Sequence, residues 1–163
     1  MAEHLICKDE DGNLFLSFEN IPEKTLSEMP ELTHCLAVVR LGGDFLFGWN
    51  KWRGRYEIFG GCRENGESAR DCIIRELREE LGITPDDITY LGAMRFLMQP
   101  DFFSPDVRAE LGGLYGVTLD VSLEVLQKAT KDEDEIGMLS LYSQIKGKAP
   151  IALIDEKLIG YYA

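Results

Sequence analysis

The stretch Gly61-Cys62-Arg63-Glu64-Asn65-Gly66-Glu67-Ser68-Ala69-Arg70-Asp71-Cys72-Ile73-Ile74-Arg75-Glu76-Leu77-Arg78-Glu79-Glu80-Leu81-Gly82-Ile83 decides how the rest of the chain is read. Within it Ala69, Ile73, Leu77 and Leu81 recur every fourth residue, Ile74 stands beside them and Gly82 follows. That period predicts an amphipathic helix over 68–81, closed by a glycine cap. Glu76, Glu79 and Glu80 then fall at i, i+3 and i+4, so their carboxylates share one face. At ~100° per residue that face borders the apolar stripe, which sets the acids at the edge of the core. Their mutual repulsion is unfavourable, and so is negative charge at a helix C-terminus. A bound cation would offset both, and an all-oxygen donor set selects a hard ion, Mg²⁺ or Mn²⁺.

On the N-terminal side, residues 6–16 read as a hairpin turning at Asp11-Gly12-Asn13, followed by a polar link over 22–33. Residues 35–40 and 45–49 form a second hairpin around Gly42-Gly43-Asp44. Residues 56–59 are a short strand that ends at Gly60-Gly61. Beyond the helix, 88–98, 111–121 and 136–142 are rich in β-formers. Ser122 is placed to cap a helix through Lys128, and Pro150 to open a last helix at its N1 position, running to Leu158. Strands with one central helix and late helices predict an α/β (α+β) layered domain. We read 1–163 as one domain, with 1–33 a hairpin and linker and 34–163 the core.

The chain has 163 residues and is 45% hydrophobic, enough for a packed core. Lys+Arg 17 against Asp+Glu 29 gives a net charge of −12, which argues against a nucleic-acid coat or a membrane-surface binder. A small polyanion is compatible with that charge when a metal ion supplies the positive field. The cysteines at 7, 35, 62 and 72 make no CxxC pair, so a zinc ribbon is unsupported and reduced thiols are expected. No apolar run approaches the ~20 residues of a membrane span, and the first ten residues lack the features of a secretory leader. The expectation is a cytoplasmic protein, with a homodimer left open.

The quoted stretch fits Gx5Ex7REUxEExGU, U being a bulky apolar residue, at Gly61, Glu67, Arg75, Glu76, Leu77, Glu79, Glu80, Gly82 and Ile83. A chance match has a probability on the order of 10⁻⁹ per starting position. The segment resembles the Nudix box, and the chain resembles the Nudix hydrolases. The preceding run Tyr56-Glu57-Ile58-Phe59-Gly60-Gly61 is similar to the family's approach to the box, with Phe59 where proline is common. The resemblance implies a Nudix-like α/β/α sandwich with a mixed β-sheet. It also implies Mg²⁺-dependent hydrolysis of a diphosphate linked to another group, usually a nucleoside. Glu79 and Glu80 match the principal metal ligands. Glu76 matches a third ligand or the carboxylate that orients the attacking water, and the Gly61 carbonyl matches a further ligand. Arg75 stands i, i+4 from Glu79 and is expected to hold it. Glu67 matches the first glutamate of the box, which supports loop–helix geometry. In this family the base often lies on a later loop. Glu135 in Asp132-Glu133-Asp134-Glu135 is the first candidate, Glu133 the second, and Glu110 a weaker one.

For substrate contact the sequence points to the locally basic run 49–56. There Arg53 and Arg55 could meet phosphates and Trp52 could stack on a base. The loop 99–106 resembles faintly the motif of NADH-cleaving Nudix enzymes. Asp101 stands where an aromatic is wanted, and the zinc-ribbon cysteines are lacking, which argues against that subfamily. RNA decapping is disfavoured by the charge. Two other readings compete with a small-nucleotide pyrophosphohydrolase. One is an enzyme like isopentenyl-diphosphate isomerase, for which Cys62 is suitably placed but His4 and His34 are too few. The other is a nucleotide-sensing module without catalysis.

Overall fold

In the computed structural model, residues 5–102, 104–130 and 136–162 are described. Among them the strands are β1 (Cys7–Lys8), β2 (Leu14–Glu19), β3 (Leu32–Leu41), β4 (Asp44–Asn50), β5 (Arg55–Glu57), β6 (Phe59–Cys62), β7 (Ile88–Met98), β8 (Arg108–Leu119) and β9 (Ile136–Leu141). The helices are α1 (Glu23–Ser27), α2 (Ala69–Leu81), α3 (Leu123–Ala129), α4 (Tyr142–Ile145) and α5 (Leu153–Leu158), with a 3-10 turn over Ile159–Tyr162. One mixed sheet runs β1-β2-β7-β8-β3-β4-β5, with β6 beside β3 and β9 beside β4. The β3–β8 pairing is parallel, and the neighbouring pairs are antiparallel.

The period-two alternation of β3 splits the core in two, as it must in a strand covered on both faces. Cys35, Ala37 and Val39 join Leu26 of α1, Leu126 of α3 and Ala69, Ile73, Leu77 and Leu81 of α2 on one face. Val38 joins Phe15, Phe47, Tyr56, Ile58, Ile145 of α4, and Ile154 and Leu158 of α5 on the other. The result is the α/β/α sandwich. No helix among the described residues is long and apolar enough to cross a membrane.

α2 begins as the sequence predicts. Ser68 is the N-cap, its side chain accepts from the Asp71 amide, and Gly82 closes the helix at φ 66°. Four elements differ from expectation. The polar link holds α1, because burial of Leu26 (0% exposed) outweighs the surrounding polarity. The strand through Tyr142 ends at Leu141, and α4 begins there. The single strand over 56–59 is two strands, β5 on β4 and β6 on β3, and Gly60 and Gly61 lie inside β6 rather than after it. Pro150 does not open the last helix. Its carbonyl accepts the Tyr56 amide at 2.9 Å, Ile151 bridges Tyr56, and α5 starts only at Leu153.

Candidate active site

The site forms where β6 lies against α2. Residues 34–37 of β3 pair with β6 in the register His34↔Cys62, Cys35↔Gly61, Leu36↔Gly60 and Ala37↔Phe59. Both glycines are required by close approach. A Cβ on Gly60, whose φ is 138°, would lie 2.1 Å from the Cys35 carbonyl oxygen. A Cβ on Gly61 would lie 2.6–2.8 Å from the carboxylate atoms of Glu76. The absent side chain therefore lets a carboxylate sit directly over the Gly61 backbone.

Glu80 is 5% exposed and accepts the Gly60 amide on Oε1 at 2.7 Å, which satisfies a buried acid with a charge-assisted bond. Glu76 is half-buried and Glu79 is exposed. The one-face geometry thus becomes a gradient, from Glu80 under the strand to Glu79 at the rim. Arg75 links the set. It donates to Glu67 at 2.7 Å, Glu76 at 3.0 Å, Glu79 at 3.3 Å and the Cys62 carbonyl at 2.8 Å. Its role is wider than the single i, i+4 pair with Glu79. The Glu67 bond, with Glu76 and Glu79 nearby, raises the Arg75 pKa further above its ordinary range. Glu67 also accepts the Glu64 amide at 2.9 Å, tying the loop 62–67 to the helix, and Arg75 holds its carboxyl below the usual range.

Glu76, Glu79, Glu80 and the Gly61 carbonyl are oxygen donors of the kind that suit Mg²⁺ or Mn²⁺, and the space above Gly61 that a Cβ would fill is where Glu76 sits, although the three carboxylates do not all lie within 4.8 Å of one another. Among the described residues the acidic group whose ligand atoms do lie within 4.8 Å of one another is Asp9, Glu10 and Asp11 in the β1–β2 turn. It is answered internally: Arg55 meets Glu10 at 3.3 Å and Asp11 at 3.1 Å, and Asp9 accepts the Asp11 and Asn13 amides.

The structure places the other candidates as follows. Glu135 and Glu133 lie outside the described residues. Glu110 accepts from Thr33 Oγ1 and Arg108 Nε, each at 2.7 Å, and faces His34 Nδ1 at 3.7 Å, one strand away from β6. Trp52 is 79% exposed. Arg53, whose side chain is 50% exposed, and Arg55 are both engaged by acidic side chains. Arg53 grips Glu57 with bonds of 2.7 and 2.9 Å, and Arg55, 15% exposed, bonds Glu57 at 3.1 Å besides Glu10 and Asp11. The isomerase reading finds Cys62 exposed, but among the described residues His34 has no second histidine beside it.

Two residues escaped the sequence reading. Glu57 is 9% exposed and gathers Arg53, Arg55 and the Asn50 side-chain Nδ2, which donates to it at 3.0 Å. Its signal was its place in the run leading to the glycines. Asp155 on α5 accepts the Ile58 amide at 3.0 Å. Burial and the charge of Glu57 push its carboxyl well above the usual range, against the pull of Arg55 and Arg53. No local pattern announces it, because its partner is 97 residues away in sequence.

A mixed sheet between helices, with an acid-rich helix packed on a Gly-Gly strand, defines a Nudix-type domain. The profile of the NUDIX domain matches residues 32–150, and the chain belongs to that family. Over 102 residues it is 31% identical to the NAD-capped RNA hydrolase NudC of Pseudomonas fluorescens, covering 56% of this chain and 36% of that protein. The chain thus spans about a third of the length of that curated relative. Among solved structures, the Bacillus subtilis pyrophosphohydrolase BsRppH superposes with a TM-score of 0.66 at 18% identity, covering 96% of this chain and 92% of that one. The NUDIX domain of Shewanella oneidensis NrtR, complexed with ADP ribose, gives 0.61 at 15% identity, covering 88% and 92%. At those identities the likeness is one of fold.

Proposed function

We propose that this chain is a Mg²⁺-dependent pyrophosphohydrolase that cleaves the diphosphate bond of a small nucleoside diphosphate derivative and works in the cytoplasm. The observation that carries this reading is the Glu76 carboxylate over Gly61, beside Glu80 bonded to the Gly60 amide. Glu79, Glu80, Glu76 and the Gly61 carbonyl would hold the cation. Mg²⁺, when bound, neutralises charge developing on the phosphoryl oxygens. Arg75 keeps Glu76 and Glu79 oriented, and Glu67 keeps Arg75 in place. Glu135 is assigned the role of aligning or deprotonating the attacking water, and Trp52 that of stacking on the base. The net charge of −12 favours small metal-bound nucleotides over long polyanions. The resemblance to NudC adds dinucleotides of the NAD type to the substrates worth testing.

The test is a panel of nucleoside diphosphate derivatives, ADP-ribose and NADH included, assayed with and without Mg²⁺ and with mononucleotide and phosphate read separately. Mg²⁺-dependent cleavage at the diphosphate is expected, abolished by chelator. Glu79→Gln and Glu80→Gln should each lower kcat at least a hundredfold while the fold is kept, as loss of transition-state charge stabilisation implies. A folded protein that leaves the whole panel intact in Mg²⁺, yet binds members of it, would place the chain among sensing modules instead.

A further inference from the structure

At Ile58 the chain changes neighbours: β5 ends on β4 at Glu57↔Gly48, and β6 begins on β3 at Phe59↔Ala37. On its other side the segment meets the chain entering α5. The Tyr56 amide donates to the Pro150 carbonyl at 2.9 Å, and the Tyr56 carbonyl accepts the Ala152 amide at 2.9 Å. This is one rung of a parallel ladder, whose next rung would take the Ile58 amide to the Ala152 carbonyl. That carbonyl is already engaged by the first turn of α5, accepting the Glu156 amide at 2.9 Å. The Asp155 carboxylate replaces it, with Oδ2 accepting the Ile58 amide at 3.0 Å. Two residues further on, Glu80 accepts the Gly60 amide at 2.7 Å from the opposite face of the sheet, and the Cys72 thiol lies 3.7 Å from the Gly61 carbonyl. The four residues that bring the chain to the box are therefore held by carboxylates from two helices on opposite faces.

We infer that Asp155 is a positioning residue for the candidate metal site, fixing the Ile58 amide at the strand crossover so that Gly60 and Gly61 meet Glu80 and Glu76. The inference rests on the metal-site reading proposed above. Asp155 touches neither metal nor substrate; it acts through the backbone of residues 58–61. A carboxylate that only anchored α5 would leave metal affinity unchanged once the protein had folded.

The experiment measures Mn²⁺ affinity by titration of the substrate-free protein, amide hydrogen exchange at Ile58, and steady-state kinetics, for wild type, Asp155→Asn and Asp155→Ala. Asn keeps an acceptor for the Ile58 amide and Ala does not. Asp155→Ala should weaken Mn²⁺ binding and lower kcat about tenfold each, the usual size of an outer-shell effect, with KM changed less than about twofold. Its Ile58 amide should exchange faster, and Asp155→Asn should stay close to wild type throughout. A folded Asp155→Ala with wild-type Mn²⁺ affinity overturns the inference, as does Asp155→Asn impaired as severely as Asp155→Ala. If Asp155→Ala does not fold, Asp155→Glu, which displaces the acceptor by one methylene, takes its place: faster Ile58 exchange with weakened Mn²⁺ binding supports the assignment, and wild-type Mn²⁺ affinity despite faster exchange overturns it. A wild-type protein that binds no Mn²⁺ sinks the metal reading itself, whereas binding equal in wild type and Asp155→Ala sinks only the role of Asp155.

Discussion

Gly60 and Gly61 are adjacent and equally small, yet the structure asks different things of them. At Gly60 the obstacle is backbone: a φ of 138° and a carbonyl oxygen 2.1 Å from any Cβ. Neither can move without parting β6 from β3. At Gly61 the obstacle is the end of the Glu76 side chain, held by Arg75 at 3.0 Å, and the backbone is unstrained. Gly60→Ala should therefore destabilise the protein by about 3 kcal/mol or more, combining strain with overpacking. Gly61→Ala should lower Tm by only a few degrees but cost at least tenfold in kcat, because the Glu76 carboxylate is displaced from the site. Thermal melts and kinetics on both variants check this, and a Gly61→Ala protein of wild-type activity would remove Glu76 from the proposed site. These roles are only half legible in sequence. The box marks Gly61 because its ligands are contiguous with it, while the constraint on Gly60 comes from Cys35, on a strand 25 residues earlier in the numbering.

At the scale of elements, what the sequence announced was whatever depends on neighbours in the chain. α2 was legible from its period and its closing glycine, and β7 from its run of β-formers, because both signals are local. The splitting of 56–59 into β5 and β6, and the late start of α5 after Pro150, were not. Each depends on which distant strand offers backbone partners, and Tyr56 takes its partners from residues 150 and 152. β2 shows a similar dependence with a measurable consequence. It lies before the family match at 32–150 and joins the sheet by pairing with β7, where Arg95 donates to Glu19 at 2.6 Å and Ser17 adds a bond at 2.7 Å. Those bonds to Arg95 and Ser17 hold the Glu19 carboxyl below its ordinary range, outweighing burial. A carboxyl with a lowered folded pKa contributes stability that is present above its unfolded pKa of about 4.3 and lost as pH falls through the folded value. Wild type should therefore melt higher than Glu19→Gln near pH 7, and the two should converge as pH drops below about 4. Curves that stay parallel down to pH 3 would show that the β2–β7 ion pair adds nothing to stability.

For the whole molecule the net charge of −12 and the acidic helix end act in the same direction. Like charges destabilise a compact state, and any salt relieves part of that by screening. A specific site adds a second, separable effect, because a ligand at free concentration c that binds only the folded state stabilises it by RT ln(1 + c/Kd). At a Mg²⁺ concentration ten times its dissociation constant that contribution is about 1.4 kcal/mol, or roughly 3–6 °C in Tm for a chain of this size. The two effects separate by comparing MgCl₂ with NaCl at equal ionic strength. We expect both salts to raise Tm, with Mg²⁺ giving an additional increment of that order. The increment should shrink in Glu79→Gln, because Glu79 is the exposed carboxylate that Arg75 holds at the rim. In Glu10→Gln, which alters the acidic turn answered by Arg55, it should persist. An increment absent from wild type would leave only screening, and one lost in Glu10→Gln but kept in Glu79→Gln would move the cation from the α2 face to the β1–β2 turn.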